Sequence, residues 1–343
     1  MSGTEDMRAL IVPEYGDWRK TQLGRAVRPQ PGPDEVLIRT EAAAINFPDL
    51  LMIEGKYQVK PDLPFVPGRD VAGTVAAVGR NVQDFRIGDR VAAQPAFGAF
   101  AEYVAAPDWS CIKLPSDIGF IEGAACGTVI ATVVGAMRLR AKLKPGEWVL
   151  MTGAAGGVGS AGIQYARLLG AHVVALVSSD QKEAAARRLG AEIVLRSDKI
   201  APSRSGMKEA LQSAGLNGVD VVVDVVGGDA FEGAIRCLVP AGRYVVVGFA
   251  SGQIPQIPAN YVLVKDLVVL GSTLDRLFRL RDPELAKGIA AAFEALAAGE
   301  MEAEIDSVMP FSKFVAGAEK ISSRRAVGKI VLKDFQEASD DRG

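Results

Sequence analysis

The sequence is poor in the residues that most often carry metal and nucleophile chemistry. It has one histidine, His172, and three cysteines, Cys111, Cys126 and Cys237, in 343 residues. An odd set of widely spaced cysteines is no disulfide framework, and it suits a reducing cytoplasm. A dominant charge is missing as well. Lys and Arg total 39 against 41 Asp and Glu, a net charge of −2, so there is no global basic field to attract nucleic acid. The apolar runs read as strand-sized pieces broken by Gly or charge, so no segment is expected to cross a bilayer. The first residues, MSGTEDMRAL, hold two acids and no apolar core, so no secretory signal is expected there. Internal repeats and low-complexity tracts are also lacking. What remains is a chain that is 49% apolar with 37 glycines, too long for one ordinary core, which points to two α/β domains.

The first third reads as β-rich. MRALIVPEY, EVLIRTEAAAI, DVAGTVAAVG, DRVAAQ and AEYVAAP are short apolar or alternating runs, separated by turn signals such as Pro31-Gly32-Pro33-Asp34 and Gly88-Asp89. From Gly123 a longer apolar stretch runs to Lys144-Pro145-Gly146 and reads as one or two linking helices. From Trp148 strand and helix patterns alternate. WVLMT, HVVALV, EIVL, VDVVVDVV, RYVVVGF and LVVLGS are the strands, with helices between them stopped at glycines such as Gly170 and Gly190. Such alternation predicts a doubly wound, six-stranded parallel sheet covered on both faces. A strong helix pattern, PELAKGIAAAFEALAAG, and a terminal strand, GKIVLKDF, follow, and residues 336–343 read as a frayed tail.

The turn after the first of these strands is Thr152-Gly153-Ala154-Ala155-Gly156-Gly157-Val158-Gly159. A lone glycine pattern is weak, but this one leaves a strand, opens a helix and precedes a second strand within about thirty residues, the context of a dinucleotide fingerprint. Gly156 and Gly157 lack a Cβ, so backbone can approach a pyrophosphate, and the helix start at Val158 offers N–H donors and a positive dipole end. Gly159 permits close helix–strand packing. Ala154 stands where the first glycine of the motif usually sits. The alternative is a tight βα turn that binds nothing.

The end of the second strand selects the nicotinamide cofactor. NAD enzymes place Asp or Glu there to bind the ribose hydroxyls. Here the position falls on Ser178, whose hydroxyl would not repel a 2′-phosphate, and Lys182 lies one helical turn on. Arg196, past the third strand, is a further candidate cation. These features favour NADPH. Lys182 and Arg196 as ordinary solvated charges, or Asp180 swinging in to bind NAD, are the competing readings.

Several short motifs occur in order along nearly the whole chain: Ala44-Ile45-Asn46-Phe47-Pro48-Asp49, Glu54-Gly55-Lys56-Tyr57, Pro64-Phe65-Val66-Pro67-Gly68, Ala72-Gly73-Thr74-Val75, Gly88-Asp89-Arg90-Val91, Gly153 to Gly159, Asp220 to Gly228, and Ala326-Val327-Gly328-Lys329. Together they resemble the quinone oxidoreductase (zeta-crystallin-like) branch of the zinc-independent medium-chain dehydrogenase/reductase superfamily. The resemblance implies a discontinuous GroES-like catalytic domain over 7–130 and 273–335. A Rossmann domain over 131–272 would be inserted in it, with cofactor and substrate in the cleft between them. It also implies a homodimer or homotetramer with a small-molecule substrate; a cytoplasmic location, and neither nucleic acid nor membrane as partner, are the expectations from cysteine usage, charge and run length above.

Zinc-using relatives place Cys where this chain has Asn46, His beside an acid where it has Arg69-Asp70, and a third ligand near Thr128. Catalytic zinc needs three N, S or O protein ligands, which this set does not supply, and the four-cysteine lobe of alcohol dehydrogenases is missing, so no metal is expected. Cys126 lies close to the third position but alone. His172 begins a strand and is expected to be structural. Arg69-Asp70 departs from the branch's usual Gly-x-Glu in that Asp70 is shorter.

The resemblance also names site residues. Asn46 matches the residue near the nicotinamide, with helix capping by Asn46 and Asp49 as the alternative. Tyr57 matches a tyrosine that could donate a hydrogen bond, or a proton, to the acceptor, with plain packing as the alternative. Thr132 matches the threonine that reaches the carboxamide, although Val134 replaces a tyrosine two residues on. Gly227 and Gly228 would let the ribose approach. Phe249 and Asn260 are weaker candidates, and Lys329 matches a lysine near the cofactor phosphates, with a solvated lysine as the alternative. The expected reaction is hydride transfer from NADPH to a quinone or another conjugated carbonyl compound. The rivals are an enoyl-thioester or enone reductase with Tyr57 as proton donor, an alcohol dehydrogenase, and a non-catalytic NADPH-binding protein.

Overall fold

A computed structural model describes residues 5–200 and 205–335, so the expected tail over 336–343 lies outside the described residues. The chain divides into two units. One takes the chain up to Thr128 and resumes at Ala303; the other is Val129–Glu302.

The first unit is built on a seven-stranded sheet. Its long central strand, Glu35–Ile45, pairs antiparallel with Asp70–Val78 on one side and with Lys329–Leu332 and Tyr103–Pro107 on the other. Arg90–Ala93 and Cys111–Lys113 extend one edge, and Ile305–Met309 closes the other, parallel to Lys329–Leu332. A separate hairpin pairs Asp6–Ile11 with Gln22–Val27. The alternating apolar residues of the central strand reach a core where Ile38, Ile45, Leu50, Met52, Phe100, Phe311 and Phe314 are fully buried. The terminal strand matters for the chemistry below. Ile330 lies opposite Ile45, and this register sets Lys329 beside the end of the central strand at Asn46.

The second unit is the expected doubly wound sheet. Its strands run in the order Ile193–Arg196, His172–Val177, Trp148–Met151, Val219–Asp224, Leu238–Val246, Val268–Gly271, all parallel. The strand order reverses direction between Trp148–Met151 and Val219–Asp224. In such sheets the crevice beyond the carboxyl ends at this reversal is where nucleotides bind.

Two expectations need correction. The return to the first unit was expected at 273 but falls at 303. Pro283–Ala297 buries Leu285, Ile289, Ala292 and Phe293 within the second unit. Gly288 lies so close to the π-helical stretch Val134–Ala141 that a Cβ on it would sit 2.5 Å from the Val134 side chain. Arg138 also reaches Glu284 at 2.7 Å, and the Gln164 amide bonds the Glu302 backbone at 2.7 and 3.0 Å. The apolar runs are not all strand-sized either. Phe120–Ala141 is one helical run of 22 residues, long and apolar enough to cross a membrane. Its most apolar window is 72% buried inside the protein, as the core helix of a folded domain would be.

Candidate active site

The glycine turn has the geometry the sequence requires of it. Gly156 caps the helix Gly157–Leu168, and Gly153 adopts φ +58°. A Cβ on Gly159 would lie 2.2 Å from the Gly153 carbonyl oxygen and 2.5 Å from the Ala154 Cα, so only glycine lets the helix seat against the turn. A Cβ on Gly156 would meet nothing closer than 3.4 Å, so its bare backbone is not demanded by the protein's own packing. Gly157, Val158 and Gly159 form the first helical turn, whose N–H groups have no partner further back in the helix. This cradle fits a pyrophosphate.

Sequence patterns did not reveal what holds this turn to its neighbour. Asp224, fully buried at the end of its strand, accepts hydrogen bonds from Thr152 Oγ1 at 2.6 Å and Tyr244 OH at 2.7 Å. It also accepts from the backbone N–H groups of Val226 and Gly227 at 2.9 and 3.1 Å. Thr152 Oγ1 in turn accepts from the Val225 N–H. One carboxylate thus ties the glycine turn to the turn at 225–228. Burial beside that carboxylate pushes the Tyr244 phenol well above its ordinary range. The available signal was the second of two acids, Asp220 and Asp224, inside the otherwise apolar run VDVVVDVV.

Gly227 and Gly228 take φ +66° and +55°, a region that favours glycine. A Cβ on Gly227 would meet the Gln253 carbonyl at 2.9 Å and the Phe249 ring at 3.0 Å. The space these glycines leave is therefore filled by the protein's own 249–253 loop, which differs from the expectation that they make room for a ribose. Phe249 packs over Gly227 and is 37% exposed.

At the end of His172–Val177, Ser178 stands where the sequence puts it, and Lys182 Nζ donates to its Oγ at 3.3 Å. Ser179 caps the helix Asp180–Arg188. Arg196 is engaged differently from the expectation of a cation held for phosphate. Its guanidinium makes two bonds to Asp198, at 2.9 and 2.7 Å, one to Glu183 at 3.2 Å and one to Asp180. The bond from Arg196 holds the Asp180 carboxyl below the ordinary carboxylate range. Asp180 is thereby tied to Arg196 rather than turned toward Ser178.

In the first unit the candidate residues gather round Asp70. Asn46 Nδ2 donates to Asp70 Oδ2 at 2.9 Å, Lys329 Nζ donates to the same oxygen at 2.9 Å and to Asn46 Oδ1 at 2.5 Å, and Thr128 Oγ1 donates to Asp70 Oδ1. Lys329 is 5% exposed, so it is neither a solvated lysine nor turned outward to phosphates. Its ammonium completes a buried ion pair. Asp49 does cap its helix, accepting from the Asn46 N–H at 2.7 Å, while the Asn46 side chain turns to Asp70 and Lys329. Complete burial, opposed by the bond from Asn46 and aided by the Asp70 charge, pushes the Asp49 carboxyl up to about 7.

Arg69 is 6% exposed and donates from Nη1 to the Tyr57 hydroxyl at 2.5 Å, its guanidinium lying 5.3 Å from the ring centre. Tyr57 itself is half-buried. Burial pushes the Cys126 thiol up to about 12, so it stays protonated at neutral pH. His172 stacks on Trp148 at 4.8 Å and bonds Glu192 at 2.8 Å, the structural role expected of it. Thr132 lies half-buried on Phe120–Val133. Asn260 is exposed on the helix Ala259–Lys265. Among the described residues, no three His, Cys, Asp or Glu side chains form a group that could hold a metal.

A parallel nucleotide-binding sheet carrying a glycine turn, joined to a discontinuous antiparallel unit with a polar cluster, defines a two-domain dehydrogenase/reductase. Family models agree. An alcohol dehydrogenase GroES-like domain matches residues 32–116 and a zinc-binding dehydrogenase domain matches 157–294. The chain is 35% identical to quinone oxidoreductase-like protein 2 of Bos taurus over 89% of this chain and 87% of that protein. It is 31% identical to the quinone oxidoreductase of Homo sapiens over 96% and 99%. Similar solved structures include a mycobacterial protein complexed with NADPH (TM-score 0.88, 28% identity, 95% of this chain and 100% of that one). The quinone oxidoreductase of Escherichia coli complexed with NADPH is another (TM-score 0.85, 27% identity, 96% and 100%). The chain belongs to the quinone oxidoreductase family of medium-chain dehydrogenases/reductases, and it is an enzyme of that type.

Proposed function

We propose that this enzyme binds NADPH at the glycine turn and uses it to reduce a quinone or a similar conjugated carbonyl compound without a metal. The observation that carries the cofactor choice is the end of the second Rossmann strand. Ser178 and Lys182 stand together there, while the nearest competing carboxylate, Asp180, is bonded to Arg196. The relatives solved with NADPH support the same reading.

Bound there, NADPH supplies the hydride. The N–H groups of the first turn at Gly157, Val158 and Gly159 hold the pyrophosphate. Lys182 and the Ser178 hydroxyl hold the ribose phosphate. Asn46 and Thr132 orient the nicotinamide, Phe249 shields it, and Tyr57 donates a hydrogen bond to the acceptor's oxygen as negative charge builds on it. Lys329 keeps Asn46 in place. Its ammonium also bonds both oxygen donors that a cation would otherwise use, Asn46 Oδ1 and Asp70 Oδ2, which supports a metal-free reaction. The hydroquinonate product can take its protons from solvent, so a quinone needs no strong acid from the protein.

Two copies are proposed to associate. Val268–Gly271 is an edge strand of its sheet with Val268 46% exposed, and the adjoining helix exposes Leu263 and Val264 at 82% each. An open edge flanked by apolar side chains favours pairing with a second copy. A reducing cytoplasm suits the buried thiols of Cys126 and Cys237. The test of function is parallel NADPH and NADH oxidation with 1,4-benzoquinone, an enone and an enoyl-CoA. NADPH binding without its oxidation by any of these acceptors would point to a binding protein instead.

A further inference from the structure

We propose that Arg196 determines coenzyme specificity without touching the coenzyme, by clamping Asp180 away from the adenosine ribose. The end of the second strand then stays open to a phosphorylated ribose and offers no carboxylate to a free diol. The inference rests on the NADPH reading above and deepens it by naming the residue that silences the rival carboxylate. Asp180 is the first acid after the strand His172–Val177, two residues past Ser178, and its side chain is 89% exposed. A carboxylate in this neighbourhood can accept hydrogen bonds from the ribose hydroxyls, as the acid of an NAD enzyme does. The same charge repels a 2′-phosphate. The chain thus carries a group suited to NADH beside the residues suited to NADPH, and the choice turns on where Asp180 is held.

Strand pairing puts Arg196 in place to hold it. Arg196 ends the strand Ile193–Arg196, and its register partner is Val177, the last residue of the second strand. Ser197 fastens this end, its N–H and its hydroxyl both donating to the Val177 carbonyl, at 2.8 and 3.1 Å. The Arg196 side chain is only 8% exposed. Asp198 takes two bonds from the guanidinium, through Nε and Nη2, and so fixes its plane. That plane turns Nη1 to Asp180, with Glu183 at 3.2 Å from the same nitrogen. Lys199 Nζ lies 3.6 Å from the Asp180 oxygen that Arg196 bonds. Lys182 instead turns to Ser178. The two cations divide the task. Lys182 stands at the ribose position to meet the phosphate, and Arg196, engaged by three carboxylates, neutralises the charge that would oppose it.

The test is the affinity for NADPH and for NADH, read by fluorescence titration, in the parent enzyme, Arg196→Met, Asp180→Asn and the double variant carrying both changes. Methionine keeps an apolar stem in the buried site and removes the charge. Arg196→Gln is measured in parallel, so that if one replacement does not fold the other still decides. In Arg196→Met the released Asp180 is expected to weaken NADPH binding about tenfold while NADH binding stays level or tightens. Asp180→Asn alone should leave both affinities within about threefold of the parent. The double variant should regain most of the NADPH affinity, because the repelling carboxylate is gone. A merely structural role for Arg196 would not be rescued in this way. An unchanged ratio of the two affinities in folded Arg196→Met would overturn the proposal. So would a double variant that binds NADPH as weakly as Arg196→Met does, a result that would make Arg196 the phosphate's direct partner. The NADPH reading is judged separately, on the parent's own ratio, whereas the clamp is judged on how that ratio changes among the variants.

Discussion

Asp49 shows how much a single buried residue can set. Its carboxyl is fully buried, one oxygen accepts from the Asn46 N–H, the other has no partner, and its pKa stands at about 7. A carboxyl whose folded pKa lies above its unfolded value holds its proton more tightly when folded. Its contribution is complete below pH about 4 and is lost as pH rises through about 7. Stability is therefore expected to fall between pH 5 and pH 8. In Asp49→Asn, which keeps an acceptor for the Asn46 N–H, that fall should shrink. Urea unfolding at the two pH values checks this, and an undiminished fall would contradict it. At Ser178, a carboxylate would repel the ribose phosphate. Ser178→Asp is expected to weaken NADPH binding roughly tenfold or more and to leave NADH binding level or improved, as read by fluorescence titration. The residues with a strong local signature, such as Ser178 after a buried strand and Asn46 before a helix, were legible in the sequence. Arg196 was not legible in its role. Its partners Asp180, Glu183 and Asp198 are near in sequence, but only the fold decides that the guanidinium turns to them and not to solvent.

Among the elements, the six parallel strands could be read because most are short apolar runs rich in β-branched residues, each followed by a turn or helix signal. The short edge strands Cys111–Lys113 and Ile305–Met309 could not, since three to five residues with mixed burial carry no clear period. The helix Pro283–Ala297 was read as a helix, but its own pattern is silent on which unit its apolar face will cover. That is why the return boundary moved to 303. The glycine turn offers the sharpest test at this scale. Gly159→Ala would drive a Cβ into the Gly153 carbonyl and the Ala154 Cα, backbone atoms that cannot turn aside. Overpacking of this kind costs about 1–3 kcal/mol or more, so a lower melting temperature and loss of NADPH binding are expected. Gly156→Ala meets nothing closer than 3.4 Å, so the fold should tolerate it, and any loss of NADPH affinity would report the ligand's own approach. Equal melting losses in the two variants would contradict this account of the turn.

For the molecule as a whole, the near-neutral charge and two-unit architecture were evident from composition and from the change in pattern near residue 123. Long-range pairing was not. The terminal strand that delivers Lys329 to Asn46 and Asp70 does so across more than 250 residues, a register no local pattern announces. The open edge at Val268–Gly271 predicts a particle of twice the 36.2 kDa chain mass by light scattering. Val268→Lys with Leu263→Lys should shift it toward the monomer, while an unchanged dimer would place the interface elsewhere. The central claim is that Ser178 and Lys182 make this enzyme an NADPH-dependent reductase. It is tested most directly by the ratio of kcat/KM for NADPH to that for NADH, with 1,4-benzoquinone as acceptor. The expected result is a preference for NADPH of roughly tenfold or more, about 1.4 kcal/mol, that falls away in Lys182→Ala. Equal use of the two coenzymes, or a preference for NADH, would contradict it.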